Sequence, residues 1–228
     1  VVKALDSFTV TIERLPDNVV FVEGYMNEFE KGLVSYISEE KLERLKKVKV
    51  GIAGAGGLGS NCAINLVRSG FHKFKIVDFD VVEPSNLNRQ FFFLNQLGMP
   101  KVLALSENLK RINPDIKIEA LQLRVQKSNA KGLFDDCDVV VEAFDRVPCK
   151  TMMAEEFILS GKFFVCASGL AGWGNSDEIK VRKVHDKFYM VGDFVTEVEE
   201  GVPPISPRVN IAAAKQADLI LSYFFNKG

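Results

Sequence analysis

The run Gly54-Ala-Gly-Gly-Leu-Gly59 carries the first chemical signal in this chain. It fits the pattern G-x-G-x-x-G, with an extra glycine at Gly57, between an apolar run and a stretch of helix formers. Glycines let the backbone turn sharply and approach a phosphate oxygen. A helix N-terminus at that point offers unpaired N–H groups and partial positive charge. Gly54, Gly56, Gly57 and Gly59 are therefore candidate nucleotide-binding positions. Asp78 ends the next apolar run, where a ribose-binding carboxylate is expected. To this point the pattern suits a nicotinamide or an adenine nucleotide.

The polar residues beyond it separate the two. Asp78-Phe-Asp80 leads into Ser85-Asn-Leu-Asn-Arg-Gln90, Lys101 opens the next helical stretch, and Asp145 follows the apolar run from Val139. In a parallel sheet, segments leaving the carboxyl ends of neighbouring strands converge on one crevice. A dinucleotide's pyrophosphate carries about two charges, which helix-terminal amides satisfy. A triphosphate carries about four and calls for side-chain cations and a metal. Arg89 and Lys101 are the candidate cations, and Asp145 the candidate ligand for Mg²⁺. The cluster therefore points to ATP.

The elements that must position these residues can be read from periodicity. Phe8 to Ile12 and Val19 to Val22 read as strands around the turn Pro16-Asp17-Asn18. Ile37 to Lys47 reads as a helix capped by Ser38. Residues 1–46 are thus expected to form a hairpin-and-helix extension, and 47–228 the main ATP-binding domain. From Val48 onward, strands at 48–53, 74–77, 116–121, 139–141 and 163–166 alternate with helices at 60–69, 101–112, a short one capped by Ser128, and one through Leu159. Such alternation predicts an α/β fold, a Rossmann-like and mostly parallel sheet. Stretches 179–184 and 188–191 are expected to add an antiparallel pair, and 209–225 a last helix.

Composition sets the outer bounds. The 228 residues carry 47% apolar and 26% charged side chains and a formal net charge of −1. That balance gives no basic footprint for nucleic acid and no membrane surface. The segment from Val1 to Asp17 mixes charges with β-formers, no apolar run reaches membrane-helix length, and the expected address is the cytoplasm. Cys62, Cys137, Cys149 and Cys166 form no Cys-x-x-Cys pair, so no zinc site is expected.

The pieces Gly54-Ala-Gly-Gly-Leu-Gly-Ser60, Val77-Asp-Phe-Asp80, Ser85-Asn-Leu-Asn-Arg-Gln90, Pro100-Lys101, Arg111-Ile-Asn-Pro114 and Asp145 occur in that order. Together they resemble the ThiF/MoeB/HesA family, relatives of the ubiquitin-activating enzymes. The resemblance is best over residues 48–172 and is greatest to short ThiF-like proteins of thiamine biosynthesis. It implies adenylation of the C-terminal glycine carboxylate of a ubiquitin-like sulfur carrier such as ThiS. It further implies that the glycine turn and Asp78 hold the nucleotide, with Asp80 and Gln90 in the same site. Asn86, Arg89 and Lys101 would contact phosphates, and Asp145 would coordinate Mg²⁺. It also implies a homodimer.

The chain departs from that family in lacking the two zinc-binding Cys-x-x-Cys pairs. It has no cysteine after Cys166, no Arg-Tyr-x-Arg-Gln stretch ahead of the first strand, and Asp145-Arg146 where Asp-Asn is common. Adenylation without a downstream thioester on this chain is therefore expected. Rival readings are a MoeB-like activator of the molybdopterin carrier and a dehydratase of threonylcarbamoyladenosine in tRNA, a partner the net charge disfavours. Others are an NAD-dependent oxidoreductase and a regulatory nucleotide-binding module without catalysis.

Overall fold

A computed structural model describes residues 26–226 and two short segments, 12–14 and 20–22. Those segments are strands β1 (Ile12–Arg14) and β2 (Val20–Val22), which pair antiparallel; β1 shares only Ile12 with the first strand expected at 8–12. The expected turn Pro16-Asp17-Asn18, with Phe8 to Thr11 and Val19, lies outside the described residues.

Two helices follow. The first, α1 (Glu28–Val34), was not foreseen from periodicity; Asn27 caps it by accepting the Glu30 N–H at 2.9 Å. Its only buried residue is a carboxylate, Glu30, whose Oε1 lies 2.6 Å from His72 Nε2 and 3.4 Å from Lys46 Nζ. Helix α2 (Glu39–Lys47) has the expected cap, with Ser38 Oγ accepting the Lys41 N–H. Its Leu42 and Leu45 are fully buried.

The main sheet has seven strands in the order β5-β4-β3-β6-β7-β9-β8. These are β3 (Lys49–Ala53), β4 (Lys73–Val77), β5 (Lys117–Leu121), β6 (Val139–Glu142), β7 (Phe163–Ala167), β8 (Lys180–His185) and β9 (Phe188–Gly192). All neighbours are parallel except β8 and β9. The antiparallel pair expected near the C-terminus is therefore present, and β9 joins it to β7.

Strands β6 and β7 are buried along their whole length, as strands covered on both faces must be. Side chains alternate between two cores. Val50, Ile52, Val139, Val141, Phe163 and Val165 meet α3 (Gly57–Arg68), α4 (Lys101–Lys110) and α7 (Ser206–Phe225) on one face. Ala53, Val77, Val140, Phe164 and Cys166 meet α5 (Lys127–Leu133) and α6 (Val147–Phe157) on the other. No helix among the described residues is long and apolar enough to cross a membrane.

Two boundaries differ from the sequence reading. Helix α3 starts at Gly57, inside the glycine turn, so the glycines themselves supply its first N–H groups. Ser128 does not cap α5: it is the helix's second residue, and Gln126 and Asn129 close the N-terminus reciprocally, with Gln126 N–H donating to Asn129 Oδ1 at 2.8 Å.

Candidate active site

The glycine turn sits where the sheet reverses direction of growth, between β3 and β6. Gly54 has φ +102°, a left-handed conformation that only glycine adopts without strain. Its N–H donates to the Val77 carbonyl at 2.8 Å, which draws the turn against the end of β4. Gly59 serves a different need. A Cβ there would lie 1.8 Å from the Gly54 carbonyl oxygen, so α3 reaches β3 only because that atom is missing. At Gly56 the nearest atom to such a Cβ would be Gln90 Nε2 at 3.8 Å, so this backbone is open to a ligand.

Asp78 closes the turn from the next strand. Its Oδ2 accepts the Ala55 N–H at 2.6 Å and its Oδ1 accepts the Asp80 N–H at 2.8 Å. Burial pushes the Asp78 carboxyl above its ordinary value, against those two amides and the charge of Lys101. Lys101, the first residue of α4, is buried. Its Nζ donates to Asp80 Oδ2 at 3.0 Å and its backbone N–H to the Asp80 carbonyl at 2.9 Å. Asp78, Asp80, Lys101 and the glycine turn therefore form one bonded unit.

The Ser85–Gln90 segment is clamped onto α3. Asn61 Nδ2 donates to the carbonyls of both Gly57 and Arg89, at 2.7 and 2.8 Å. Buried Ser60 Oγ accepts the Phe91 N–H. This lays the Arg89 stem beside Gly57 and the Gln90 amide beside Gly56. Gln90 is buried, and its Oε1 has no hydrogen-bond partner among the described residues. The Arg89 Nη1 donates to Ser85 O at 3.0 Å and Asn88 Oδ1 at 2.7 Å. Half-burial lowers the pKa of Arg89, and the Asp145 carboxylate opposes that shift. Asn86 Nδ2, the group that could donate to a phosphate, lies 3.5 Å from Ser85 Oγ. The Asn86 Oδ1 accepts the Glu83 N–H and holds a 3₁₀ turn at 84–86.

Asp145 is exposed in the loop between β6 and α6. It does not cap α6, whose N-cap position is Arg146. No group of three or more His, Cys, Asp and Glu side chains gathers as a metal site among the described residues. Cys166 is buried, and burial, followed by the charge of Glu142, pushes its thiol up to about 12. That leaves it unreactive as a nucleophile.

Residues that periodicity passed over support the Asp145 loop. Glu142 is fully buried at the end of β6 and Lys150 comes back from α6 to meet it, at 3.1 and 3.2 Å to its two oxygens. Lys150 also donates to the Ala167 carbonyl at 2.8 Å, and Glu142 Oε1 accepts the Phe144 N–H at 2.7 Å. Both ends of the loop containing Asp145 are thereby pinned. Methionine at Lys150 would leave a buried carboxylate without its cation, at an expected cost of about 3–5 kcal/mol near neutral pH. Burial already holds the folded-state pKa of Glu142 above its ordinary value, and losing Lys150 raises it further. The folded variant thus takes up a proton that the unfolded chain does not. The deficit should be smallest below the ordinary glutamate range and widen as pH rises through the folded pKa. Thermal denaturation of Lys150→Met against the unaltered chain at acid and neutral pH measures this.

Taken together, the reversed parallel sheet with a glycine turn and a carboxylate at the reversal defines a doubly wound, Rossmann-like α/β protein. Within that class the chain belongs to the ThiF family, whose profile matches residues 30–201. It is 34% identical over 131 residues to the sulfur carrier protein adenylyltransferase of Thermus thermophilus, covering 57% of this chain and 48% of that protein. It is 38% identical over 132 residues to the adenylyltransferase and sulfurtransferase UBA4 of Candida glabrata, covering 58% of this chain and 30% of that one. The chain thus spans about half or less of these relatives. Its fold is similar to that of the E. coli tRNA N6-threonylcarbamoyladenosine dehydratase in complex with ATP. The TM-score is 0.74 at 19% identity, over 86% of this chain and 92% of that one.

Proposed function

We propose that this chain binds ATP in the crevice between β3 and β6 and uses it to adenylate a carboxylate, the C-terminal glycine of a ubiquitin-like sulfur carrier. The observation that carries the reading is the convergence, at the carboxyl end of the central strands, of an open glycine turn, the buried carboxylate of Asp78 and the cations Arg89 and Lys101. The names of the curated relatives support the adenylyl transfer and the carrier. A ThiS-type carrier and a role in thiamine thiazole formation are the specific proposal, carried by the resemblance to short ThiF-like proteins.

In the reaction, a carboxylate oxygen attacks the α-phosphorus, the bond from that phosphorus to the β-phosphate bridge breaks, and pyrophosphate leaves. The attacking carboxylate is already ionised near neutrality, so no general base is required. What this chain contributes is positioning and charge. The amides at the start of α3 face the phosphates across Gly56. Asp78 orients the ribose hydroxyls. Arg89 and Lys101 neutralise two approaching anions and the leaving pyrophosphate. Asp145 is a single exposed carboxylate, which fits Mg²⁺ held mainly by phosphate oxygens and water. That ion would add further neutralisation of phosphate charge.

We further propose that the chain forms a homodimer. Exposed apolar side chains support this: Phe93, Leu94 and Leu97 in one stretch, with Val81 and Leu103 near Pro100 through the Val81–Pro100 bridge and the first turn of α4. Gathered into one patch, such residues would mark an interaction site.

ATP–pyrophosphate exchange tests the function. Exchange should depend on a ubiquitin-like carrier ending in Gly-Gly and be lost when that end is removed. Exchange driven by tRNA in its place would move the substrate to RNA. ATP binding without exchange toward either would leave a nucleotide-binding module and sink the enzyme reading.

A further inference from the structure

Two loops leave the carboxyl ends of β7 and β9, residues 168–175 and 193–204, and both run beside the crevice. Asp78, after β4, marks the ribose side of that crevice, and Asp145, after β6, its far side. Parallel strands are about 4.8 Å apart, so the loops after β7 and β9 flank the side left for the second substrate. They are held in an unusual state. Gly169 has φ +75° and Gly174 φ +69°, and two non-glycine residues, Asn175 and Phe194, are also left-handed at φ 46° and 66°. Glycine takes that conformation freely, but at Phe194 it is strained and persists only where surrounding structure imposes it.

One ion pair imposes it here. Asp193 Oδ1 accepts the N–H groups of Val195 and Thr196, at 2.9 and 2.8 Å, and its Oδ2 accepts Thr196 Oγ1 at 2.7 Å. The same Oδ2 is bonded by Arg208 Nη2, from the first turn of α7, with both side chains more than nine-tenths buried. Arg208 Nη1 donates to the carbonyls of Gly174 and Asn175, at 2.8 and 3.3 Å, in the other loop. A Cβ at Gly169 would lie 2.0 Å from Asp193 Oδ1, so the loops touch. The assembly also reaches the nucleotide side. Asn88, beside Arg89, donates to Pro204 O at 3.3 Å, and the side chain of Val209 fills the space next to Gly57.

We propose that Arg208 and Asp193 are positioning residues for the carboxylate-bearing substrate: their pair locks the loops after β7 and β9 into the shape that presents that substrate to the ATP site. The inference rests on the adenylation reading. The pair is bonded to the loops after β7 and β9, and none of its hydrogen bonds goes to the glycine turn, Asp78, Arg89 or Lys101, so its loss should act mainly on the second substrate's binding.

The test uses the full chain and its Arg208→Met, Arg208→Lys and Asp193→Asn variants, with ATP and a Gly-Gly-ended ubiquitin-like carrier. Arg208→Met should raise the carrier KM in the exchange assay by about tenfold or more, with ATP Kd by calorimetry within about twofold. Arg208→Lys should recover part of the loss. Asp193→Asn keeps the side-chain shape, should show the same split, and serves if Arg208→Met does not fold. Unchanged carrier KM, or ATP affinity falling in step with it, overturns the inference while leaving adenylation standing. No exchange by the unaltered chain overturns both.

Discussion

Alanine at Gly56 should leave the protein folded and remove most of its affinity for ATP, whereas alanine at Gly59 should damage the fold itself. The two glycines are three residues apart in one turn, yet the space around them differs. At Gly56 the added Cβ meets nothing closer than Gln90 Nε2 at 3.8 Å, and the residue is the N-cap of α3 with ordinary extended backbone. The methyl group costs the empty protein little. It stands, however, where a phosphate must approach the helix-terminal amides, and a displacement of about 1 Å there is worth about 100-fold. At Gly59 the same methyl group lies 1.8 Å from Gly54 O and 3.0 Å from its carbonyl carbon, which are backbone atoms. They cannot turn aside, because Gly54 is bonded to Val77 and Ala55 to Asp78. Helix α3 must therefore shift off β3. Overpacking of this kind costs about 1–3 kcal/mol and misplaces the amides as well. Thermal denaturation and ATP titration of the two variants separate the effects. Gly132→Ala, in α5 with open space around it, is the control: it should leave ATP affinity unchanged and raise stability slightly, since alanine is the better helix former. A Gly56→Ala protein with unaltered ATP affinity would remove the glycine turn from the site.

The contrast between those glycines also shows what a sequence can and cannot express. The turn, Asp78 and Lys101 were legible because strand, glycine, helix and acid follow one another at local spacings that the backbone dictates. The parallel sheet and its terminal antiparallel pair followed from apolar runs long enough to be buried on both faces. The length of α3 was underestimated because glycine is a poor helix former. Its presence in the first turn answers to packing and exposed amides rather than to propensity. Helix α1 escaped because its only buried residue is Glu30, which a periodicity argument assigns to solvent. Only the fold brings His72 and Lys46 to it. The Glu142–Lys150 and Asp193–Arg208 pairs were hidden for the same reason. Each side chain alone reads as surface charge, and burial at the end of a strand is what turns it into a support. Asn86 shows a second role that the polar run does not express: its Oδ1 is taken by the Glu83 amide, which leaves Nδ2 as the group able to donate to a phosphate.

Loss of Lys101 should have the largest effect on turnover. The ammonium is buried with its neighbour Asp80 half-exposed, and it stands at the start of α4. In the proposed reaction two anions are brought together and negative charge then gathers on departing pyrophosphate. A fixed cation in a partly desolvated crevice acts most strongly on that developing charge. Removing one such group costs about 100- to 1000-fold in kcat. Lys101→Ala is therefore expected to lose exchange activity on that scale while ATP affinity falls less, since ground-state phosphates keep Arg89 and the α3 amides. Asp80 then loses its partner, but it is solvent-accessible and can be hydrated, so stability should change by no more than about 1 kcal/mol. Lys101→Arg should not rescue fully, because a planar guanidinium does not reproduce a compact ammonium in a buried place. The measurement is steady-state exchange with calorimetric ATP binding and a melting curve for each variant. Full exchange by Lys101→Ala would place the phosphates elsewhere and break the link between this crevice and the chemistry. Loss of ATP binding in proportion to kcat would instead make Lys101 a uniform binder, leaving Arg89 and the helix amides to stabilise the leaving group.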